Sequence, residues 1–405
     1  MIYYYKVLFE GGNTLLNKIF QTIDDFYPEM VEIRRYLHQY PEQSFKEYKT
    51  AAYIADFYKK LEIPYKTNIG GNGVIATLKG GKLGKTVALR ADFDALPIQD
   101  EKDVLYRSKI DGVMHACGHD GHTATLLVLA KVLKKFQKDI PGTVVFLHQH
   151  AEELAPGGAK PMIEAGALDG VDAVFGNHLW ATTPLGELQT NKHVFMAGAD
   201  KFEITIKGKG GHGAYPHETK DAIVIGTQLV NQLQEITSRR LNPLKTAVVT
   251  VGVFEAGTTF NVIADSARLF GTVRYLDTEV QDLIIDEMHK IVEGLCTRYE
   301  IECNFTYDKG YPPLKNHEKE AELVIEAGNL IDDIHLSREV EPQMGGEDFA
   351  YYMMNKPGAF FFTGAKKEGH SYPHHHPKFD IDERSMPIAA KTLTQVYFLY
   401  QQNNQ

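Results

Sequence analysis

The eight residues His115-Ala116-Cys117-Gly118-His119-Asp120-Gly121-His122 set one thiol and three imidazoles within a span of about two helical turns. Soft sulfur and borderline nitrogen donors at so short a spacing suit a divalent transition metal. More donors follow at Glu152-Glu153, at His178 and in the triplet His374-His375-His376. In a Glu-Glu pair one carboxylate can bind metal while its neighbour takes a proton from metal-bound water, which makes hydroxide available near neutral pH. Together these groups look like a metal-dependent hydrolase site assembled from distant loops.

Each group also has an ordinary reading. A bare Glu-Glu pair is commonly a solvated acidic loop, a lone His a structural or exposed residue, and a single Cys a small buried apolar one. Asp92 and Asp94 are either turn residues or carboxylates that orient a ligand imidazole. Glu347 and Asp348 either line a pocket or open a helix. His122 and His217 read as structural, and Tyr351–Met354 as core.

The elements that must position these residues follow from periodicity. Helical spacing runs through Thr14–Tyr40 and Glu47–Leu61. Thr86–Arg90 reads as a short buried strand ahead of the acidic turn Ala91–Pro97, and Thr123–Phe136 as an apolar helix with Asp120 or Thr123 as N-cap. Strands Thr143–His148 and Val171–Phe175 would end just before Glu152 and His178. Strands alternating with helices predict a layered α/β domain with a central, mostly parallel sheet, and such sheets bind ligands beyond the C-terminal ends of their strands. From about Ala197 the pattern changes. Strand Lys201–Lys207, helix Asp221–Ile236, strands Ala247–Phe254 and Ala267–Arg274, helix Val280–Tyr299 and strand Ile301–Tyr307 give the order β-α-β-β-α-β of a ferredoxin-like domain. The predicted organisation is a discontinuous domain of 14–196 and 312–405 with 197–311 inserted. The first domain resumes with helix Glu318–Ile331, strand Gly358–Thr363 and helix Pro387–Tyr400.

At 405 residues two domains are the default expectation. The net charge of −10 argues against nucleic acid or an anionic membrane as partner. The start, residues 1–13, lacks a basic cluster before a long apolar core, and Lys6 and Glu10 interrupt it, so neither a signal peptide nor a membrane span is expected. Three cysteines, Cys117, Cys296 and Cys303, are too few for a disulfide framework and fit a reduced, cytoplasmic setting.

A run of ordered motifs adds a resemblance: Arg90–Pro97 (RADFDALP), Met114–His122 (MHACGHDGH), Ala151–Glu153 (AEE), Gly176–His178 (GNH), Gly208–His217 (GKGGHGAYPH), Phe260–Ile263 (FNVI), Gly271–Arg274 (GTVR), Gly345–Ala350 (GGEDFA) and His375–Phe379 (HHPKF). From about residue 28 onward the chain resembles the aminoacylase/carboxypeptidase family of dinuclear metallohydrolases, in the branch of hippurate hydrolase and the auxin–amino acid conjugate hydrolases. That resemblance implies two divalent ions, be they zinc, manganese, cobalt or nickel. It implies Cys117 shared between them, His119 and Glu153 on one, His178 and His375 on the other, and Glu152 as general base and acid. Asp94 matches the carboxylate behind a ligand His, and Asp92 departs from a position where relatives carry a ligand His. The inserted domain is implied to be a lid and dimerisation domain. Its His212 would reach the site of a neighbouring subunit to stabilise the oxyanion, and Asn261 and Arg274 would hold the substrate carboxylate. The activity implied is hydrolysis of the amide bond of N-acyl amino acids or similar small conjugates, with a dipeptidase or aminopeptidase as the alternative.

Overall fold

The computed structural model describes residues 9–369 and 372–404, with side chains from Thr14 onward. Of the N-terminal extension, residues 1–8 lie outside the described residues. Counting helices of twelve residues or more and strands of four or more, the chain opens with α1 Phe9–Asp25, α2 Tyr27–Gln39 and α3 Tyr48–Lys60. It continues with β1 Tyr65–Ile69, β2 Gly73–Lys79, β3 Lys82–Asp92, α4 His119–Lys135, β4 Pro141–Gln149, β5 Ala173–Pro184 and β6 Glu187–Thr190. Next come β7 Gly198–Lys207, α5 Ala222–Glu235, β8 Ala247–Ala256, β9 Ser266–Tyr275, α6 Thr278–Tyr299 and β10 Glu302–Tyr311. Then α7 Glu318–Asn329, β11 Leu336–Glu339, β12 Gly358–Lys366 and α8 Ser385–Asn403 follow.

Two compact units result: one runs up to Phe195 and takes in Lys315–Glu341 and the chain from Tyr351, and the other comprises Met196–Leu314 and Pro342–Ala350. The first is built on an eight-stranded sheet in the order β1-β2-β4-β3-β5-β12-β6-β11. It is mixed, with four of its seven pairings parallel. Pairings β4/β3, β3/β5 and β5/β12 at its centre are parallel, and so is β6/β11. Antiparallel β1 and β2 extend one side, and β6 joins β12 antiparallel on the other. The parallel centre carries continuous apolar runs because both its faces are covered. In β12 the residues Gly358–Ala365 are all buried.

Helix α4 is buried from His119 through Ala130, and α8 from Ser385 through Gln401. The long helix expected over Thr14–Tyr40 is two helices. Pro28 occupies the first turn of α2, where its missing N–H costs nothing, but it could not sit in an unbroken helix. Helix α4 begins at His119, earlier than expected, behind Gly118 at φ 98 with no side-chain cap. The two candidate caps are engaged elsewhere: Thr123 Oγ1 donates to Asp92 O at 2.8 Å, and Asp120 receives Arg34 Nε at 2.9 Å.

In the second unit β8-β9-β7-β10 form an antiparallel sheet. Phe202, Ile204 and Ile206 of β7 share one core with Ile225, Leu229 and Leu233 of α5 and Ile284 and Met288 of α6, so both helices pack on the same face. Each helix has an Asp N-cap: Asp221 accepts from the N–H of Ile223 and Val224, and Asp277 from that of Glu279. Among the described residues no helix is long and apolar enough to cross a membrane.

Candidate metal centre

The site lies at the C-terminal ends of the central parallel strands. Asp92 ends β3, Glu152 and Glu153 follow β4, and His119 and His122 open α4 directly after Cys117. His178 differs from expectation. It lies inside β5, which runs on to Pro184, and pairs with Phe362 of β12. Polar Asn177-His178 disguises a strand that the apolar Phe360-Phe361-Phe362 run covers. Two donor loops are held in left-handed backbone: Ala151 has φ 54 and His375 φ 65. The second is pinned by the His375 N–H, which donates to Ala116 O at 2.8 Å.

Five donors expected from the sequence converge. Cys117 Sγ lies 3.3 Å from His178 Nε2. His119 Nε2 lies 3.8 Å from Glu153 Oε1 and 3.9 Å from Glu152 Oε2. Glu153 Oε1 is also 3.3 Å from His375 Nε2. Within 4.8 Å the donor atoms form the sets Cys117–His119–His178 and Cys117–Glu153–His375, and also His119–Glu152–Glu153. Cys117 is thus common to two sets, and His119 joins His178 in one of them and Glu153 in the third, the latter being the pairing the resemblance implied. His178 on β5 flanks the start of α4, whereas His375 arrives on the loop that faces Glu153.

The outer groups are fixed by partners. Asp94 lies behind His119, with its Oδ1 3.2 Å and its O 3.0 Å from His119 Nδ1, and its Oδ2 accepts from Glu153 N at 3.0 Å and Ser44 Oγ at 2.7 Å. Asp94 therefore reads as an orienting carboxylate. Arg90 Nη1 donates to Asp92 Oδ2 at 2.6 Å, and His122 Nδ1 donates to Asp92 Oδ1 at 2.6 Å. His122 Nε2 accepts from Leu179 N at 2.9 Å, which uses up its ring. His374 Nε2 is likewise taken by Ala181 N at 3.1 Å, and His376 Nδ1 by Lys378 N at 3.0 Å, so of the triplet His375 is the one turned to the carboxylate.

Electrostatics suit a cation. Burial and then the Glu153, Glu152 and Asp92 carboxylates push the Cys117 thiol well above its usual range, so a positive ion is what would favour its thiolate. Burial alone would lower His119, but Asp92, Asp94 and Glu153 outweigh it and raise the imidazole to about 10. Burial first, then neighbouring imidazoles, holds His178 well below its usual range. Its Nδ1 donates to Leu179 O at 3.0 Å, leaving a neutral ring with the Nε2 lone pair towards sulfur, the form that ligates metals. His119 Nε2 is buried without a hydrogen-bond partner, and Glu153 Oε1 is buried with His375 Nε2 at 3.3 Å. An orphaned imidazole nitrogen, a carboxylate, a thiol and further imidazoles fit divalent transition metals.

His212, Asn261, Arg274, His217 and Glu347 belong to the second unit. His212 pairs with Val262 in a two-stranded ribbon, and Asn261 O accepts from Gly213 N at 2.9 Å, so His212 and Asn261 share one exposed ribbon. Arg274 on β9 donates to Thr272 Oγ1 and Val273 O, and burial, opposed by Asp200, lowers its pKa. His217 is exposed in a turn. Glu347 accepts from Phe349 N at 2.9 Å, next to the short helix Ala350–Asn355, as a helix-opening residue would. Of the stretch expected in the core, Tyr352 and Met353 are buried but Met354 is 70% exposed. Sequence reasoning passed over Ser44, Glu47, Arg90 and Gln149, whose Oε1 accepts from Arg90 Nε at 2.9 Å. A buried strand that ends Arg-Ala-Asp was the available signal for Arg90.

A layered α/β unit with this donor cluster at its strand ends defines a metallohydrolase acting on amide C–N bonds, and the known proteins agree. The model of peptidase family M20/M25/M40 matches residues 88–398. The chain belongs to that family. YhaA of Bacillus subtilis (strain 168) is 53% identical over 392 residues, covering 96% of this chain and 99% of the relative. An N-acyl-L-amino acid amidohydrolase of Geobacillus stearothermophilus is 44% identical, covering 75% and 82%. The solved YXEP protein of Bacillus subtilis, a dinuclear metal binding peptidase from the M20 family, superposes with a TM-score of 0.80 at 33% identity, covering 94% and 99%.

Proposed function

We propose that this protein is a dinuclear metal-dependent amidohydrolase that cleaves N-acyl amino acids or similar small conjugates. The observation that carries the reading is the convergence of Cys117, His119, Glu153, His178 and His375 around two sets of donor atoms that share one sulfur, with Glu152 alongside. One ion would be held by Cys117, His119 and His178, the other by Cys117, Glu153 and His375. Zinc, manganese, cobalt and nickel all suit this donor set. When bound, the ions polarise the amide carbonyl and ease ionisation of water.

Glu152 takes the proton of the attacking water as oxygen bonds to the carbonyl carbon. It then delivers that proton to the amide nitrogen as the C–N bond breaks, releasing a carboxylic acid and an amine. Asp94 fixes His119 through Nδ1, so that Nε2 faces the reaction. Residues 14–196 and 312–405 act as the catalytic domain, and 197–311 as a ferredoxin-like lid through which two copies dimerise. The unpaired edge of β8, with Val248, Val253 and Phe254 exposed, supports such pairing. His212 donates to the developing oxyanion, and Arg274 and Asn261 bind the free carboxylate of the substrate, a role that suits a planar guanidinium fork. A cytoplasmic setting fits the three free cysteines.

The test is hydrolysis of N-acetyl amino acids against the corresponding free dipeptides, using protein reconstituted with each of the four metals. Turnover of the blocked substrates, lost on chelation, is expected. Preference for free dipeptides would overturn the substrate assignment.

A further inference from the structure

Glu47 is fully buried and stands at the N-cap position of α3 without capping it through its side chain. That task falls to Glu42, whose Oε2 accepts from Thr50 N at 2.8 Å and Thr50 Oγ1 at 3.0 Å. The Glu47 carboxylate turns instead to the catalytic loop. Its Oε1 accepts from Ala151 N at 2.9 Å and from Phe45 N at 2.8 Å, while Oε2 accepts from Asn72 Nδ2 at 2.9 Å.

Ala151 is the residue before Glu152, and its φ of 54 is one that an L-residue with a Cβ avoids unless its surroundings enforce it. Phe45, the other backbone donor to the same oxygen, has φ 66. One buried carboxylate therefore ties together two left-handed residues, neither of them glycine, and hydrogen bonds to a carboxylate are among the stronger ones. The same segment holds the other side of the site. Ser44 Oγ donates to Asp94 Oδ2 at 2.7 Å and Ala95 N donates to Glu42 O at 2.9 Å, while Asp94 Oδ2 also receives Glu153 N at 3.0 Å. Residues 42–47 thus brace both Asp94 and the Ala151–Glu153 turn.

We propose that Glu47 is a positioning residue that fixes the left-handed conformation of Ala151 and so aims Glu152 at the attacking water. This rests on the reading of Glu152 as the general base. Ångström-scale misplacement of a catalytic group costs on the order of 100-fold in rate. Gln can keep an acceptor oxygen at Ala151 N. Asp, one methylene shorter, would not reach it without moving the start of α3, and Ala offers no acceptor.

The experiment measures kcat, KM and bound metal of metal-reconstituted protein on N-acetyl amino acids for Glu47→Ala, Glu47→Asp, Glu47→Gln and Glu152→Gln. The expected result is kcat lowered about 10- to 100-fold in Glu47→Ala and Glu47→Asp, with KM within about twofold and metal content unchanged. Glu47→Gln should stay within about threefold of the parent. If Glu47→Ala does not fold, Glu47→Asp against Glu47→Gln carries the comparison. Parent-like kcat in the Ala or Asp variant overturns the proposal, as does a loss that follows bound metal or that Gln shares. Retained turnover in Glu152→Gln would instead sink the base assignment beneath it.

Discussion

Sγ of Cys117 lies 3.3 Å from Nε2 of His178, while Nδ1 of the same imidazole donates to Leu179 O at 3.0 Å. The ring's tautomer is thereby set, and its lone pair faces the thiol. An ion bound to both atoms would bridge such a gap. Because Cys117 belongs to both donor sets, Cys117→Ala should strip metal from the whole centre. Metal per chain, measured by elemental analysis, is expected to fall, and turnover by more than the ~10–100-fold typical of losing a group behind a ligand. Full metal content in the variant would contradict the shared-ligand reading.

Arg34 is fully buried and its guanidinium meets Asp120 at 2.9 Å, Asp380 at 2.8 Å and Glu383 at 3.2 Å. Burial would raise both aspartates, but Arg34 together with His38 at Asp120, and with Lys367 and Tyr106 at Asp380, outweighs it and holds each below its usual range. Arg34→Met leaves Asp120 buried and short of its guanidinium, while Asp380 keeps Lys367, at a cost of ~3–5 kcal/mol. Thermal unfolding should show a clear drop in Tm at neutral pH. An unchanged Tm would show that the network contributes little.

Burial, opposed in part by the Asn72 hydrogen bond, raises Glu47 to about 7. A carboxyl raised in the fold favours its neutral form there. Its contribution to stability is complete below the ordinary carboxylate range and fades as pH climbs through about 7. Glu47→Gln, permanently neutral, should therefore gain on the parent between pH 5 and pH 8, by up to about 3 kcal/mol. Denaturant unfolding at the two pH values measures this. A difference that does not change with pH would contradict a Glu47 whose titration the fold has raised.

If His212 serves the neighbouring subunit, His212→Ala and Glu152→Gln should each be nearly inactive, and their mixture active. With random exchange of equal amounts about half of the dimers are mixed and each holds one whole site of two, about a quarter of all sites. The readout is turnover after exchange has been demonstrated, for instance with tagged chains. No recovery would place His212 with its own chain.

Much of the site was legible because its chemistry is local. Cys117 and His119 are named by residue type and close spacing, and the Glu152-Glu153 pair by its place after an apolar strand. His178 was legible as a donor but not as a strand residue, because its covering partner Phe362 comes from far along the chain. Strand β2 carried a signal that went unread, with Val74, Ala76 and Leu78 alternating inward. Strand β1 offered none, since Tyr65–Asn68 are exposed and polar. Nor could the sequence disclose Glu47. Its significance depends on Ala151 adopting a positive φ, and alanine carries no mark of that. The division of ligands between the two donor sets was beyond reach too, as it follows from which loops face each other across the strand ends.

The most direct measurement is Glu152→Gln, assayed for turnover of N-acetyl amino acids and for bound metal on the same sample. The account expects metal content equal to the parent with turnover reduced by at least the ~10²–10⁴-fold that a positioned proton carrier supplies. Parent-like turnover at full metal content would contradict it.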